Sequence, residues 1–477
     1  MIDFSLITPE LFLVGAAFVV LVGDLFLPKD GKQGLALVSA LALVLFIIIS
    51  ISFADAKGSL YNGLVLVDSY TIFFRILFPL ISLSVVLMSV DFVPQRLRYP
   101  GEYYSLILFA TLAMIAMAEA GEIITAYISL ELLNFCLYVL VSYARDNPKS
   151  NEAGLKYIVL SSFASALLLY GFSFLYGIAG TTYYYGIAQS LSQAGGLNGG
   201  LIMALVLITA GLGFKVAAVP FHMWTPDVYE GAPMPVTAFI AVASKAAGFA
   251  LLLRFFSTAL APIAAEWGIV IAIIAAMSMT VGNLVAIQQR NMMRLLAYSS
   301  IAQVGYLLIG LAALNSFTAS AVLLHIAGYG VSNLVAFMCA TAYFNLTGKD
   351  EIRDYAGLAE RSPLLALSMA IGLFSLAGLP FFAGFITKFY LFTAAADSGL
   401  LWLVAVAVIN SLISLYYYIQ VVRQMYISQP QEMNRLPIPR LTVGTLVVLL
   451  AAVILIGIYP APVLSAVETA VQVLGLS

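Results

Sequence analysis

Long apolar runs, separated by short polar or Pro/Gly-rich segments, occupy most of this chain of 477 residues. About 20 consecutive apolar residues are enough for a helix to cross the hydrocarbon core of a bilayer. The pattern predicts about 14 transmembrane helices, at residues 9–28, 34–54, 68–91, 102–120, 122–144, 154–178, 200–219, 235–258, 266–288, 293–314, 317–346, 363–396, 400–426 and 440–470. We therefore predict an all-α, polytopic membrane protein.

Two of these helices carry a proline inside them or at their inner end: Pro220 directly follows the seventh and Pro380 lies within the twelfth. Because proline lacks a backbone N–H and clashes with the preceding turn, both helices are predicted to be broken at membrane depth. The two prolines lie 160 residues apart in similar Val-Pro-Phe and Leu-Pro-Phe sequences, a distance of about five helices with loops. An odd number of helices inverts the second copy, so helices four to eight and nine to thirteen are predicted to form two inverted five-helix repeats.

This repeat divides the chain into four predicted parts. Residues 1–100 hold helices one to three, residues 101–260 the first repeat, residues 261–428 the second repeat, and residues 429–477 the last helix. Broken helices at matching positions of inverted repeats are typical of ion-coupled transporters, so each repeat is predicted to form one half-channel.

The composition excludes an ordinary soluble protein. Hydrophobic residues make up 62% of the chain and charged residues only 9%, against about 25% charged residues in a typical globular protein. The predicted helices leave little chain for a soluble catalytic domain. The 21 Lys and Arg nearly balance the 23 Asp and Glu, and we expect the lipid bilayer, not nucleic acid, to surround the chain.

The basic residues predict the orientation of the chain, because Lys and Arg collect in cytoplasmic loops. Most of them lie in the loops that follow odd-numbered helices or at the helix ends beside those loops, and Lys57 is the exception on the opposite side. The biased set comprises Lys29, Lys32, Arg96, Arg98, Arg145, Lys149, Arg290, Arg294, Lys349, Arg353, Arg361, Arg423, Arg435 and Arg440. Both termini are therefore predicted to lie away from the cytoplasm.

Cysteine and histidine are too few for bound redox centres. The two cysteines, Cys136 and Cys339, stand singly in apolar runs, and the two histidines are His222 and His325. Iron–sulfur clusters and paired haems need sets of such ligands, and no nucleotide-binding glycine motif follows a strand pattern. We expect no cofactor and no metal in this chain, so any electron transfer belongs to another subunit.

Five charged residues lie in or beside predicted helices: Glu131, Lys156, Lys215, Lys245 and Lys388. Each such charge costs about 2.5 to 3.5 kcal/mol in a membrane, so their presence points to a function. One interpretation is a structural ion pair between Glu131 and one lysine, with the other lysines at helix ends. The other is that the lysines carry protons, because one carboxylate cannot neutralise four lysines and burial favours the neutral amine.

Three further polar residues have roles that the pattern leaves open. His325 is either a proton relay between half-channels or a hydrogen-bonded helix residue. Arg75 and Arg254 stay protonated, which favours a structural or interfacial role for both.

Motifs spread over nearly the whole chain resemble the antiporter-like membrane subunits of respiratory complex I, specifically the subunit N family. They are Leu130-Glu131-Leu132, Gly213-Phe-Lys215, His222-Met-Trp-Thr-Pro-Asp-Val-Tyr-Glu-Gly-Ala-Pro233, Ser244-Lys245, Arg294-Leu-Leu-Ala-Tyr-Ser-Ser-Ile301 and Ala377-Gly-Leu-Pro-Phe-Phe-Ala-Gly-Phe385 followed by Lys388. Two positions depart from the family pattern, Met293 where lysine is expected and Gln303 where histidine is frequent.

The resemblance implies proton translocation, driven at a distance by quinone reduction in an NAD(P)H- or ferredoxin-quinone oxidoreductase. Carried over to this chain, it implies that Glu131 modulates the charge of Lys215, which holds a proton. Lys245 would connect across the centre to Lys388, the proton donor towards the far side. With Lys156 and His325, these residues form the candidate site.

The resemblance also implies partners and a location. The partners are other membrane-arm subunits of complex I, including a paralogous antiporter-like subunit, with quinone, flavin and iron–sulfur clusters bound elsewhere in the complex. The membrane is a bacterial inner membrane or a thylakoid. The alternative is a subunit of a multi-subunit Mrp-type cation/proton antiporter, similar over the same helices, although residues 227–233 favour subunit N.

Overall fold

The computed structural model of the protein describes residues 4–193, 196–429 and 434–476 and is almost entirely helical. Its α-helices are α1 Thr8–Phe26, α2 Gly34–Ser52, α3 Ser69–Ser89, α4 Val93–Arg96, α5 Pro100–Glu119, α6 Ile123–Val141, α7 Pro148–Ala179, α8 Tyr184–Gln193, α9 Gly199–Val216, α10 Trp224–Gly231, α11 Met234–Phe239, α12 Lys245–Thr258, α13 Ala264–Ala286, α14 Met292–Ala312, α15 Ser316–Thr347, α16 Leu358–Arg361, α17 Pro363–Ala377, α18 Ala383–Asp397, α19 Leu401–Tyr426, α20 Arg440–Ile458 and α21 Ala461–Val471. Two short strands, β1 Gly58–Leu60 and β2 Val65–Val67, pair antiparallel between α2 and α3. The predicted all-α polytopic fold is confirmed.

Within the described ranges, 13 helical segments are long and apolar enough to span a membrane. A further span is divided between α17 and α18, which brings the total to the predicted number. One segment, Met234–Thr258, consists of α11, a π-helical turn at Ile240–Ser244 and α12. This π-helical turn, which the sequence pattern did not predict, interrupts the regular hydrogen bonding in the middle of the span.

Both predicted proline breaks are confirmed. Helix α9 ends before Ala217, which has a left-handed φ of 65°, and the chain turns through Pro220 into α10. Helix α17 ends before Gly378, whose φ is 89°. Glycine suits this position because its backbone is left-handed and because an added Cβ would lie 3.2 Å from Cδ of Lys388. The breaks fall in the fourth helix of each predicted repeat, while the inverted relation and the four-part division remain predictions.

The last predicted helix is wrong in its extent. The run at 440–470 forms two helices, α20 and α21, separated at Tyr459 and Pro460. Proline is accommodated at the start of a helix but cannot continue the preceding one, so Pro460 sets the boundary.

Loops that were predicted to share one side of the membrane meet at one end of the bundle. Arg98 in the segment before α5 pairs with Asp146 after α6 at 2.8 Å, and Asn291 before α14 donates to Asp350 after α15 at 2.8 Å. At the other end, β2 forms a bridge to Ala120 at the end of α5. The structure thus groups the basic loops on a single face.

Candidate functional site

Three lysines lie buried where the helices are irregular. Lys215 is the penultimate residue of α9, Lys245 directly follows the π-helical turn, and Lys388 lies on α18 after the second break. These residues are 5%, 1% and 4% exposed, respectively. Among the described residues, none of the three forms a direct ion pair with a carboxylate, and their ammonium groups donate to neutral atoms. The structure therefore brings three of the predicted lysines into comparable surroundings.

Glu131 and Lys215 are connected through Asn134. Asn134 lies one turn after Glu131 on α6, so both side chains share a face of the helix. Nζ of Lys215 donates to Oδ1 of Asn134 at 2.7 Å, and Nδ2 of Asn134 donates to Oε1 of Glu131 at 3.2 Å. The Ser165 hydroxyl on α7 donates to the same carboxylate oxygen, and the Tyr127 hydroxyl lies 3.0 Å from Ser165 Oγ. The predicted proximity of Glu131 and Lys215 is therefore indirect, through an amide bridge.

Lys245 begins a directed chain of hydrogen bonds. Its ammonium donates to Oγ of Ser300 on α14, which lies 2.9 Å from the hydroxyl of Tyr329 on α15. The Tyr329 hydroxyl donates to the carbonyl of Ala241 at 2.9 Å, so its single proton is occupied and Ser300 is the donor to Tyr329. Ala241 belongs to the π-helical turn, where the shifted hydrogen bonding directs a backbone carbonyl towards the Tyr329 hydroxyl. Nζ of Lys245 also lies 5.8 Å from the ring centre of Tyr229.

Lys388 is held by the broken end of α17. Its Nζ donates to the carbonyls of Leu376 and Ala377 at 2.9 and 3.3 Å, which lack helical partners because the helix stops there. It also donates to Ser411 Oγ on α19 at 3.2 Å and lies 4.6 Å from the ring centre of Tyr306. The break thus supplies the polar atoms that solvate this lysine inside the bundle.

His325 lies between the surroundings of Lys245 and Lys388. Its Nε2 is 3.2 Å from Oε1 of Gln303, whose Nε2 donates at 3.1 Å to the Leu376 carbonyl that also binds Lys388. Its Nδ1 is 2.9 Å from the Thr387 hydroxyl on α18. An amide oxygen can only accept, so Nε2 carries the ring proton and Nδ1 accepts from threonine.

The two halves of the site meet at α15 and at α12. His325 and Tyr329 are one turn apart on α15, with ring centres 6.4 Å apart, so the Lys245 chain ends beside the histidine. On the other side, Cγ of Lys215 lies 3.6 Å from the position of an added Cβ at Gly248, three residues after Lys245. Lys215 on α9, Lys245 on α12 and His325 on α15 therefore follow one another. The Gln303 amide lies between His325 and Lys388 on α18.

Lys156 does not lie with the buried lysines. Its side chain is 43% exposed and pairs with Asp227 on α10 and Glu152 on α7, both at 2.8 Å. Arg294 contacts Asp227 and Glu230 at 3.0 and 3.1 Å. We name Glu152, Lys156, Asp227, Glu230 and Arg294 the α10 charge cluster. It lies on the face that carries the basic loops, where water can reach it.

The sequence did not predict the residues that connect the buried charged side chains. Asn134, Ser300 and Tyr329 are neutral polar residues of a kind found in many membrane helices, so composition does not single them out. A spacing signal exists for two of them, because Asn134 lies one turn after Glu131 and Tyr329 one turn after His325. Gln303, noted as a departure from the family, lies in the chain of contacts between His325 and Lys388.

Comparisons with known proteins find relatives along nearly the whole chain. Residues 120–414 match the family model described as "NADH:quinone oxidoreductase/Mrp antiporter, TM". The NADH-quinone oxidoreductase subunit N of Desulforamulus reducens is 43% identical over 98% of each chain. A chain of respiratory complex I from Thermus thermophilus is similar with a TM-score of 0.81 and 30% identity, covering 97% of this chain and 100% of that chain. A chain of the Mrp complex from Dietzia sp. DQ12-45-1b shares the fold, with a TM-score of 0.87 over 99% of this chain and 97% of that chain at 20% identity.

The relatives and the family model together confirm the resemblance that the sequence motifs indicated. The match extends over almost the full length of the Desulforamulus reducens relative, and the family model includes all three buried lysines, Glu131 and His325. This chain therefore belongs to the NADH-quinone oxidoreductase subunit N family.

Proposed function

We propose that the chain translocates protons as a membrane-arm subunit of a complex-I-type quinone oxidoreductase. The observation that carries the proposal is the burial of Lys215, Lys245 and Lys388 with neutral hydrogen-bond partners. Burial without a direct counter-charge favours the neutral amine, so a nearby charge decides whether each lysine holds a proton. Lysine can load and unload a proton in this way, whereas arginine cannot.

Glu131 is the proposed modulator of Lys215. Unit charges about 7 Å apart at an effective dielectric of about 20 attract by about 2.4 kcal/mol, which is enough to change the proton occupancy of Lys215. Because Asn134 bridges the two groups, a small movement of α6 against α9 would alter this attraction. A movement in a neighbouring subunit can therefore switch the site without large rearrangement here.

The proposed path then continues from Lys245 to Lys388. Ser300 and Tyr329 can pass a proton by exchanging donor and acceptor roles along their hydroxyls. His325 can accept a proton on one ring nitrogen and release one from the other. Lys388 receives it on α18, beside the second break.

The electron carriers are proposed to lie in other subunits. Cys136 and Cys339 are free and buried at separate positions, and the proposal needs no redox group in this chain. We further propose that the bacterial inner membrane holds the chain with both termini away from the cytoplasm, since the basic loops share one face.

The alternative function, a subunit of an Mrp-type antiporter, has only a likeness of fold at 20% identity in its support. The 43% identity to a subunit N supports the first proposal over this alternative.

The experiment is to substitute Lys215 by alanine and by arginine in the full complex and reconstitute it in vesicles. We expect assembly to persist and pumping, with the coupled quinone reductase activity, to fall about tenfold or more in both variants. Lys57→Ala, a change at an exposed lysine that donates to Ser69, is the control. Normal pumping by Lys215→Arg, or lost assembly with normal coupling in the residual complex, would contradict the proposal.

A further inference from the structure

A second group of buried charges lies between the N-terminal helices and α5, apart from the proposed proton path through Lys215, Lys245 and Lys388. Arg75 on α3 is 1% exposed, Glu10 on α1 is 9% exposed, and Glu119 at the end of α5 is 4% exposed. The sequence pattern predicted a structural role for Arg75 but did not identify its two partners. The three residues come from three helices and form a compact buried cluster.

Both carboxyl groups contact the same edge of the Arg75 guanidinium. Oε1 of Glu119 accepts from Nη2 at 2.8 Å and from Nε at 3.1 Å. Nη2 also donates to Oε2 of Glu10 at 3.0 Å and to the carbonyl of Leu6 at 2.8 Å. Nε and Nη2 carry three hydrogens between them, yet they serve four hydrogen bonds. The hydrogen bonds on this edge therefore outnumber its hydrogens, and the three hydrogens are fully used by three acceptor atoms.

One acceptor atom receives no hydrogen bond. Oε1 of Glu10 lies 2.7 Å from Nε of Arg75, but the single Nε hydrogen is directed at Glu119. This buried oxygen has no hydrogen-bond partner among the described residues. A buried acceptor without a donor is costly, and a proton on the carboxyl pair would supply the missing donor.

The charge balance leads to the same requirement. Two carboxylates and one guanidinium would bury a net charge of −1, which is unfavourable in a membrane. Helix α2, packed beside α1 and α3, contains no titratable residue. Among the described residues, charged groups on the other neighbouring elements have partners of their own: Lys32 pairs with Asp24, Arg254 pairs with Asp68, Glu122 accepts from Thr125 at the start of α6, and Lys57 donates to Ser69.

We propose that Glu10 and Glu119 form a proton-binding carboxyl pair that holds one proton at neutral pH. The proton converts one carboxylate into a carboxylic acid, whose O–H donates to an oxygen of the other carboxylate, and the cluster becomes neutral overall. Arg75 balances the carboxylate that remains. The site lies on α1, α3 and α5, apart from the lysines on α9, α12 and α18, so it stands whether or not those lysines carry protons.

The test is infrared spectroscopy of the intact complex in membranes, comparing wild type with Glu10→Gln and Glu119→Gln. The wild type is expected to show the carbonyl band of a buried carboxylic acid, and each variant is expected to lose it. The reason is that a single remaining carboxylate opposite Arg75 is fully paired and stays ionised. Glu468→Gln, at an exposed glutamate on α21, is the control and leaves the acid band unchanged.

Persistence of the acid band in either assembled variant would overturn the proposal. The conservative variants Glu10→Asp and Glu119→Asp keep both carboxyl groups and address assembly. If both glutamine variants fail to assemble while both aspartate variants assemble, the fold requires two negative charges at Arg75. That result would also overturn the proposal, because a carboxyl that holds a proton tolerates a neutral amide.

Discussion

Lys215 contacts Glu131 through an intervening amide: Asn134 accepts from the lysine at 2.7 Å and donates to the carboxylate at 3.2 Å. A direct ion pair in a low-dielectric interior holds its charges strongly and resists separation. The amide keeps the opposite charges apart while fixing their geometry. The interaction is therefore weak enough to be changed by a modest shift between α6 and α9.

Replacing Asn134 by leucine should uncouple these two residues. Leucine has nearly the same volume but offers no hydrogen bond, so Lys215 loses its acceptor and Glu131 one of its donors. We expect pumping by the reconstituted complex to fall about tenfold or more. Phe135→Leu, an exposed position on the same helix, should pump normally. Equal pumping by Asn134→Leu and the control would show that the bridge has no functional role.

Two adjacent serines on α14 offer a matched comparison. Ser300 bonds with Lys245 and Tyr329, whereas Ser299, equally buried, bonds with Tyr418 and with neither of those two residues. Each change to alanine removes one buried hydroxyl and costs about 1 kcal/mol of stability. We expect similar losses of thermal stability but slower pumping in Ser300→Ala alone. Equal pumping rates in the two variants would contradict a proton path through Ser300.

Charge in an apolar run and proline in a helix are the features that the sequence predicted well. Lys215, Lys245 and Lys388 could be identified because a charge inside a membrane span is expensive wherever its partners lie. Pro220 could be identified because proline disrupts a helix through its own backbone. Both signals are local, so neither needs knowledge of the packing. Pro460 gives the same signal, but the helix at 440–470 was predicted to continue across it, which was wrong.

Contacts between distant helices could not be predicted from the sequence. Lys156 was grouped with the other charged residues of the spans because it lies near the start of the predicted helix at 154–178, but Asp227, its partner, lies 71 residues away in the sequence. Ser300 became recognisable only when α12 and α14 were seen to bring it to Lys245. The π-helical turn before α12 likewise went unpredicted, since residues 240–244 contain no proline or glycine that would mark an irregular helix.

Acid pH should weaken the α10 charge cluster. Burial raises the pKa of Asp227, but hydrogen bonds and charges from Lys156 and Arg294 outweigh burial and hold its pKa below the ordinary value. A carboxyl with a lowered folded-state pKa stabilises the fold fully above its unfolded pKa of about 3.9. This contribution disappears as the pH falls through the folded-state pKa.

The corresponding measurement compares thermal unfolding of wild type and Asp227→Asn between neutral pH and about pH 3. We expect the variant to unfold at a lower temperature at neutral pH, and the difference to shrink as the pH falls. Asp55→Asn, at an exposed residue before β1, is the control for general effects of removing a carboxyl. A difference that stayed constant down to acid pH would show that the ion pairs of Asp227 do not stabilise the fold.

His325→Gln separates the two roles that the sequence left open for this residue. Glutamine can donate to Gln303 and accept from Thr387, as the histidine does, but it cannot bind and release a proton. A purely structural histidine would therefore tolerate the change, whereas a relay would not. We expect assembly and thermal stability close to wild type and pumping reduced about tenfold or more. Cys339→Ala, at another buried position on α15, controls for disturbance of this helix. Pumping at the wild-type rate in His325→Gln would mean that the proton reaches Lys388 without this ring.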